Sequence, residues 1–361
     1  MNQKIKKLRE LIKSKNLDGL IIYNPVNIQY LTGLKIEGIF IINDVDNILI
    51  TNNLYIEEVR NNITIDDEIL IQEISELSKE ELLTIFQNCK TVGFEENYVT
   101  YANYRNMLMK FRIKEPVESN YIVERMREVK DEEEISYIEK ACNITDSCFL
   151  HIQDYIKIGM TEKQVAYEIG RFFIENGADG LAFDTIVASG VNSSKPHAIP
   201  TDKRIDYGDA IVIDFGAKYK GYCADMTRTI FAGNASEKQR EVYNIVMNSQ
   251  NRALSKMKNN ADIKEISDGV KNEFGCYNYD LVHALGHGVG LDIHERPLFG
   301  GNQSCFLKAN MVITNEPGIY IPGEFGVRIE DTLVVNNLEP TVLTKSNKNL
   351  LIIWYSNEKV V

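Results

Sequence analysis

The first 125 residues alternate between two spacings of apolar residues, one typical of helices and the other of strands. Ile5, Leu8 and Leu11 follow the three-residue interval of an amphipathic helix. Ser78 and Glu81 form a capping-box pattern that begins a further helix. Short apolar runs predict strands at residues 19–23, 38–42, 47–50 and 91–96, and a mixed pattern predicts a helix near 54–61. This alternation predicts an α/β domain over residues 1–125.

After residue 125 the chain becomes strongly charged and then mixes helical and strand patterns. Asp131–Glu134 places four acids at the first turn of a helix, where they suit the helix dipole. Thr161 and Gln164 form a second capping box, which begins a helix that ends near Asn176. Further helices are predicted around 236–258 and 262–273, with β-rich segments between them. We therefore predict an α+β chain whose second domain covers residues 126–361.

Residues 209–231 carry two apolar or β-branched strands joined by a turn. If the hairpin folds about Tyr219 and Lys220, Asp214 lies opposite Asp225 and both side chains point to one face. Two adjacent carboxylates repel each other unless a cation lies between them. Because apolar residues flank Asp214, its carboxylate is expected below the surface, where an unpaired charge is costly. This hairpin therefore predicts half of a metal site.

Residues 315–331 form a second candidate hairpin, centred on Gly323. That centre sets Glu316 opposite Glu330, so a second pair of acids shares one face. Pro317 lacks a backbone N–H, which makes the strand irregular where it begins. Two hairpins that each pair two acids indicate a common cation site.

Three of the five histidines lie between these hairpins, in the segment HALGHGVGLDIHE. Its three glycines disfavour a helix, since each costs about 1 kcal/mol relative to alanine. We therefore expect His283, His287 and His294 on an extended segment, where the glycines let a metal or substrate approach the backbone. His287, which glycines flank on both sides, is the favoured metal ligand. His197 lies apart from these, on a loop that neighbouring prolines stiffen.

The composition excludes several classes of protein. The chain has 52 acidic residues against 40 lysines and arginines, a net charge of −12, which argues against a nucleic-acid-binding surface. No apolar run reaches the roughly 18–20 residues of a membrane span. The basic N-terminal segment has no apolar core of the kind that signal peptides contain. The six cysteines are scattered without a CxxC pair, so we expect reduced thiols and a cytoplasmic protein.

Four motifs stand in order along the second domain: DFGAKYKGYCADMTRT, HALGHGVGLDIHE, NEPGIYIP and GVRIED. Together they resemble the pita-bread metallopeptidases, in the branch that contains aminopeptidase P and prolidase. The resemblance covers residues 130–361, and the first domain is similar to the creatinase-type N-terminal domain. It implies a creatinase-like α/β domain followed by a pita-bread catalytic domain.

The resemblance implies that five residues hold two divalent metal ions: Asp214, Asp225, His287, Glu316 and Glu330. Asp225 and Glu330 match the bridging positions. The four carboxylates would balance the charge of two divalent ions. One imidazole among four carboxylates is an oxygen-rich set that suits manganese, with cobalt, iron or zinc as alternatives.

The remaining roles follow from the same resemblance. Metal ions of this kind activate water and polarise a carbonyl, and Glu316 would accept the proton of the water and return it to the leaving amine. His197 and His294 would stabilise the oxyanion and orient the proline residue of the substrate. His283 and Arg328 complete the implied substrate-binding set. An ion pair of Arg328 with Asp331 or Glu324 is the alternative for that side chain.

The implied substrates are short proline-containing peptides, and the implied assembly is a homodimer. An X-Pro bond is a tertiary amide without an N–H, so proteases that rely on that donor bind it poorly. Two features depart from the family pattern. Asn310 stands at a turn where relatives usually have glycine, and the first domain has NNLYIEEVR where relatives often have an aspartate and an arginine.

Two peptidase activities fit this residue set. An Xaa-Pro aminopeptidase releases the first residue of a longer peptide, whereas an Xaa-Pro dipeptidase (prolidase) splits only dipeptides; the sequence leans slightly to the aminopeptidase. A cation that binds the substrate carboxylate would decide between them, and Arg296 and Lys195 are candidates. A metal-free pita-bread binding module is a more distant alternative, as are a creatinase-like enzyme and a methionine aminopeptidase.

Overall fold

The computed structural model describes residues 3–63, 68–299 and 305–354. The ends of the two predicted domains, at residues 1–2 and 355–361, lie outside the described residues. The chain divides into two units, Met1–Arg127 and Glu128–Val361. None of the helices in the described part of the chain combines the length and apolar character that a bilayer crossing requires.

The first unit contains a mixed β-sheet with helices around it. Its strands are β1 (Gly19–Ile22), β2 (Gly38–Ile42), β3 (Asn47–Thr51), β4 (Leu70–Glu73), β5 (Thr91–Phe94) and β6 (Glu115–Glu118). Their order in the sheet is β4-β3-β2-β1-β5-β6. The helices are α1 (Gln3–Ser14), α2 (Pro25–Thr32), α3 (Ile56–Asn62), α4 (Lys79–Thr84), α5 (Tyr101–Phe111) and α6 (Ile122–Arg127).

The apolar periodicity of the first unit predicts most of these elements. Ile5 and Leu8 of α1 are fully buried, as an amphipathic helix requires. The capping box of Ser78 and Glu81 is formed in both directions at the start of α4. The pattern did not predict α2, α5, α6, β4 or β6. At α2, Pro25 occupies the first helical turn and the side chain of Asn24 caps it.

The second unit contains four helices among its described residues: α7 (Glu132–Tyr155), α8 (Glu162–Glu175), α9 (Glu237–Leu254) and α10 (Ile263–Cys276). Its strands before α9 are β7 (Gly180–Leu181), β8 (Ile186–Ser189), β9 (Ala210–Phe215), β10 (Ala217–Tyr219), β11 (Tyr222–Cys223) and β12 (Met226–Ala232). Those after α10 are β13 (His287–Gly288), β14 (Glu295–Leu298), β15 (Val312–Asn315), β16 (Gly318–Ile321), β17 (Phe325–Arg328), β18 (Asp331–Val334), β19 (Thr341–Val342) and β20 (Leu351–Ile353). The expected α+β class is confirmed.

Two apolar cores lie within this unit. In one core, Phe149 of α7 and Phe173 of α8 pack with Phe215 of β9. In the other, α9 and α10 contribute buried residues together with β15, β17 and β18. The strand orders are β20-β12-β9-β8 and β14-β13-β15-β18-β19, with β16-β17 and β11-β10-β7 as smaller sheets. The acids singled out by the sequence lie on or beside the strands of these sheets.

Candidate metal centre

The first hairpin brings Asp214 and Asp225 to one face, but in a different register from the prediction. Asp214 in β9 pairs with Thr227 of β12, so the prediction that the two aspartates are directly opposed is wrong by two residues. Lys220 (φ 51°) and Gly221 (φ 80°) both have left-handed backbones, which a two-residue type I′ turn requires. The hairpin therefore folds about these two residues. Because the shift is even, both aspartates keep the same face.

The second hairpin has the predicted register. Ile321 pairs with Phe325 across Gly323, and the same register continues in the neighbouring sheet, where Asn315 pairs with Asp331. Glu316 and Glu330 lie at the break between these two ladders. Pro317, which cannot donate a ladder hydrogen bond, directly follows Glu316 at that break.

His287 lies in β13, which is extended as the glycines predict. Its Nδ1 lies 3.1 Å from the carbonyl oxygen of Gly288, so Nδ1 donates a hydrogen bond to that oxygen and Nε2 is the ring nitrogen that faces the acids. That Nε2 lies 3.5 Å from Asp225 Oδ2 and 3.4 Å from Glu316 Oε1. A divalent cation between these atoms would bind Nε2 and both carboxylates at once. A metal-binding histidine is oriented in the same way, with its other ring N–H donated to a carbonyl.

The donor atoms of Asp225, His287 and Glu330 all lie within 4.8 Å of one another. Two atoms that bind one ion at about 2.0–2.2 Å each lie at most about 4.4 Å apart, so small side-chain adjustments would bring these three donors onto one ion. Glu316 adjoins this group through His287, and Asp214 adjoins it through its contact with Asp225. All five predicted ligands thus meet in one region of the unit.

The carboxylates of this group are buried and repel one another, which a bound cation would relieve. Burial, together with the neighbouring charges of Asp214 and Glu316, raises the pKa of Asp225 far above its ordinary value. Burial and the Asp225 charge do the same to the pKa of Glu330, and burial raises the pKa of Glu316. The buried Oδ1 atoms of Asp214 and Asp225 have no hydrogen-bond partner among the described residues. These residues therefore fit divalent cations, which would supply the missing partners.

Hydrogen bonds between the two hairpins fix the orientation of the acids. Thr227 donates to Glu330 Oε2 at 2.6 Å and accepts from Arg328 Nε at 3.0 Å. Arg328 Nη2 donates to Asp214 Oδ2 at 2.6 Å. The side chain of Thr332 donates to the carbonyl oxygen of Asp225 at 2.7 Å. The ligand-bearing segments are thus held together by direct polar contacts.

The partner of Arg328 is Asp214, so both alternative partners considered from the sequence are wrong. Asp331 instead pairs with Arg228 and Lys348. Glu324 forms its ion pair with Lys238.

Tyr320 is a site residue that the sequence analysis missed. Its hydroxyl accepts from Arg328 Nη1 at 2.6 Å and lies 2.9 Å from His283 Nε2. His283 Nδ1 contacts the carbonyl oxygen of Ala284, so the Tyr320 hydroxyl donates to Nε2. Burial lowers the pKa of His283 to about 4, which keeps the ring neutral near pH 7. Strand alternation could have found Tyr320, because it lies diagonally across the ladder from Arg328.

The acids open into a cavity of about 390 Å³. His197, His283 and His294 contribute to its walls, and Phe183, Ile186, Ile293, Leu298 and Phe299 form an apolar part. The rings of His287 and His294 are 4.4 Å apart between centroids. Burial and the charge of His287 lower the pKa of His294. The four histidines named in the sequence analysis thus adjoin one cavity, as does Arg328.

The two candidates for binding a substrate carboxylate differ in position. Arg296 donates from Nε to Glu128 at 2.8 Å, and it does not belong to the described cavity lining. Lys195 is exposed and directly precedes Pro196 and His197, which do line the cavity. Its Nζ donates to Asn192 Oδ1 at 3.3 Å.

Comparison with known families finds matches in both units of the chain. Residues 136–337 match the family described as metallopeptidase family M24, and residues 4–129 match the creatinase/prolidase N-terminal domain. The chain is 38% identical to an Xaa-Pro dipeptidase of Pyrococcus furiosus, over 97% of this chain and 100% of that protein.

Two solved structures are similar to the chain over almost its full length. An Xaa-Pro dipeptidase from Bacillus anthracis has a TM-score of 0.91 and 34% identity, and the match covers 97% of this chain and 99% of that one. An X-Pro aminopeptidase from Thermotoga maritima has a TM-score of 0.86 and 33% identity, with 96% and 100% covered.

Proposed function

The chain belongs to metallopeptidase family M24, and from this premise we propose that it is a dinuclear metal-dependent dipeptidase that hydrolyses Xaa-Pro dipeptides. The observation that carries the proposal is the meeting of Asp225, His287 and Glu330, with donor atoms within 4.8 Å, at a cavity that His197 and His294 line. The relatives named as Xaa-Pro dipeptidases support the substrate class.

The proposed metal ligands are those implied by the sequence: Asp214, Asp225, His287, Glu316 and Glu330. Two divalent ions held there would lower the pKa of a water molecule and polarise the scissile carbonyl. Manganese is the proposed metal, because carboxylates outnumber the single imidazole in the donor set.

The remaining chemistry belongs to side chains of the cavity wall. Glu316 accepts the proton of the attacking water and returns it to the proline nitrogen. Its location beside His287 and the hydrogen bond from Thr314, 3.4 Å long, support this role. His197 and His294 donate hydrogen bonds to the carbonyl oxygen as its negative charge develops. His283, held by Tyr320, and Arg328 shape the substrate-binding side of the cavity.

The sequence analysis slightly favours an Xaa-Pro aminopeptidase. The comparisons favour an Xaa-Pro dipeptidase instead. The Pyrococcus furiosus and Bacillus anthracis relatives, both named as dipeptidases, match nearly the whole chain. The Thermotoga maritima structure keeps the aminopeptidase as the second candidate. A dipeptide has its carboxylate next to the proline ring, so a cation at the cavity mouth favours the dipeptide over longer peptides. Lys195 is the proposed cation.

The deciding experiment compares an X-Pro dipeptide with an X-Pro-Y tripeptide on the manganese-loaded protein, with an X-Ala dipeptide as the control. We expect kcat/KM to be highest for the X-Pro dipeptide. A higher value for the tripeptide would favour the aminopeptidase. If the purified protein neither binds metal nor cleaves any of these peptides, the proposal of an enzyme is wrong and a metal-free binding module is the better description.

Two further measurements test the parts of the proposal. Chelation should abolish hydrolysis and manganese should restore it, whereas recovery with zinc alone would contradict the choice of manganese. Lys195→Gln should raise KM for the dipeptide roughly two- to fivefold, the range of an exposed ion pair, and leave the tripeptide unaffected. Lys163→Gln is the matched control, because Lys163 pairs with Asp202 outside the cavity lining.

A cytoplasmic homodimer is part of the proposal. All six cysteines lie within the described residues and none forms a disulfide, which supports a reducing compartment. Sedimentation of the purified protein tests the dimer, and a monomer at micromolar concentration would contradict it.

A further inference from the structure

Glu162, at the first position of α8, is fully buried and binds both ends of the segment that carries His197. We name residues 189–201 the histidine loop. Glu162 Oε1 accepts from the backbone N–H of Ser189 at 2.7 Å and from its hydroxyl at 2.9 Å. Glu162 Oε2 accepts from the N–H of Thr201 at 2.9 Å and from its hydroxyl at 2.7 Å. The Asn192 amide donates to both oxygens, at 3.1 and 3.2 Å.

A buried carboxylate of this kind is costly unless its oxygens are satisfied. No lysine or arginine in the described part of the chain forms a direct ion pair with Glu162, so its direct partners are the hydrogen-bond donors of the loop, with Lys203 Nζ one step away on the Ser189 hydroxyl at 3.1 Å. Burial tends to raise the pKa of Glu162, but the bonds from Thr201, Ser189 and Asn192 outweigh it and the pKa lies below its ordinary value. The carboxylate is therefore ionised at neutral pH and holds the loop as an anion.

The histidine loop is also bound in its middle. Ser193 Oγ accepts from the N–H of Gly326 at 2.9 Å, and the carbonyl oxygen of Pro196 accepts from Arg328 Nη1 at 3.1 Å. These contacts join the loop to the hairpin that carries Glu330. Glu162 itself does not line the cavity, whereas Pro196 and His197 do. Any effect of Glu162 on the reaction must therefore pass through the loop.

We propose that Glu162 is a positioning residue, which sets the location of the His197 side chain in the cavity by fixing both ends of the histidine loop. The inference rests on the proposed function, in which His197 stabilises the developing oxyanion. An oxyanion donor must be placed to within a fraction of an ångström, and a displacement of about 1 Å lowers a rate on the order of 100-fold. The same loop carries Lys195 and the Pro196 carbonyl that binds Arg328, so the experiment must separate the effect on His197 from effects on those groups.

The test is a double-mutant cycle on the manganese-loaded full chain with an X-Pro dipeptide. Glu162→Gln keeps the shape of the side chain but turns one oxygen into an N–H₂ group that faces the loop donors. We expect kcat to fall 10- to 100-fold, with KM changed less than threefold and metal content unchanged. In a His197→Ala background the same substitution should lower kcat less than twofold, because the donor that it displaces is already absent. Equal losses in both backgrounds, or wild-type kcat in the single variant, would overturn the proposal.

Glu168→Gln is the matched control. Glu168 is another buried acid of α8, but it binds His151 and Arg171. It should lower thermal stability without changing kcat. If Glu162→Gln does not fold, Thr201→Val takes its place, since it removes one hydroxyl donor and keeps the backbone N–H; the same criteria apply, with an expected three- to tenfold loss of kcat.

Hydrogen exchange provides a readout that does not depend on activity. Peptides that cover residues 189–201 should exchange faster in Glu162→Gln than in the wild type and in Glu168→Gln, because the amide keeps only one acceptor oxygen, so one end of the loop loses its acceptor and the other binds a neutral one. Unchanged exchange would overturn the anchoring role. If the wild type hydrolyses no X-Pro dipeptide, the proposed function fails, whereas the exchange experiment still decides whether Glu162 anchors the loop.

Discussion

The two hairpins of the second unit supply the acids in different ways. In the hairpin around Gly221, Asp214 lies inside a continuous ladder, opposite Thr227, whereas Asp225 lies in the gap between β11 and β12. In the hairpin around Gly323 both acids lie at a ladder break, one on each side. The ladder acid is paired with Arg328, while the acids at the breaks have no ion pair with a lysine or arginine within the described residues, and two of them contact a histidine instead.

The difference shows where a fold can place uncompensated charge. Inside a ladder, neighbouring side chains approach closely and a guanidinium can reach the acid. At a break, the ladder is interrupted and the acid can project toward other segments of the chain. Asp331 completes the contrast, because it is buried one residue after Glu330 but is paired with Arg228 and Lys348, which lower its pKa against the effect of burial. Burial alone therefore does not identify a metal ligand, because Asp331 is buried with two protein cations and Glu162 is buried with its oxygens satisfied by hydrogen bonds.

Asp225→Asn provides the largest test of this contrast. Removing one acid at a ladder break should reduce activity to background and abolish high-affinity metal binding. The metal-free variant should be more stable than the metal-free wild type, on the order of 1 kcal/mol or more, because a repelled buried charge is gone. Metal analysis and thermal unfolding with and without chelator measure both effects. Retained activity would remove Asp225 from the site.

Asp331→Asn should act in the opposite direction. It leaves Arg228 buried without its full counter-charge, which costs about 3–5 kcal/mol of unfolding free energy with or without metal. Asp202→Asn, at an exposed pair with Lys163, is the control and should stay within about 0.5 kcal/mol. Denaturant unfolding measures both variants. A stabilised Asp331→Asn would mean that the contrast between paired and unpaired acids is wrong.

A pair of glycine substitutions sharpens the comparison of the hairpins. A Cβ on Gly216 would collide with the carbonyl oxygen of Ala224, next to Asp225. Gly216→Ala should therefore displace Asp225 and weaken metal binding roughly 10-fold or more, as with groups that orient metal ligands. Gly323, at φ 76°, has open space around it. Gly323→Ala should cost about 1–2 kcal/mol in stability and leave metal affinity unchanged. Titration with manganese separates the two outcomes.

The pH dependence of metal-free stability gives the smallest and most specific test. In the folded protein the pKa of Asp225 is raised above its ordinary 3.8. Its contribution to folding stability is therefore favourable below that pH and is lost as pH rises through the folded-state pKa. The folded pKa of Asp331 is lowered, so its contribution is present above 3.8 and is lost as pH falls. The free energy of unfolding of the metal-free protein, measured from pH 3 to 8, should fall less toward high pH in Asp225→Asn than in the wild type. Identical profiles would contradict the raised pKa.

The sequence predicted the local features of the fold because each depends on neighbours in the chain. The capping boxes at Ser78 and Thr161 are formed as their spacing indicates. Asn310 has a left-handed backbone at φ 66°, which asparagine tolerates better than most residues and which explains why glycine is usual there. The predicted register of the first hairpin was wrong because the turn was assigned one residue too early. Gly221 marks the second position of a type I′ turn.

The sequence by itself determined the face on which the acids lie and the register of the hairpin around Gly323. These follow from strand alternation and turn chemistry, which act over a few residues. Only the tertiary structure decided that Arg328 pairs with Asp214, that Tyr320 binds His283 and that Glu162 holds both ends of the histidine loop. Those partners are separated by tens of residues or more, and their contacts depend on how the sheets and helices pack, which no local pattern encodes.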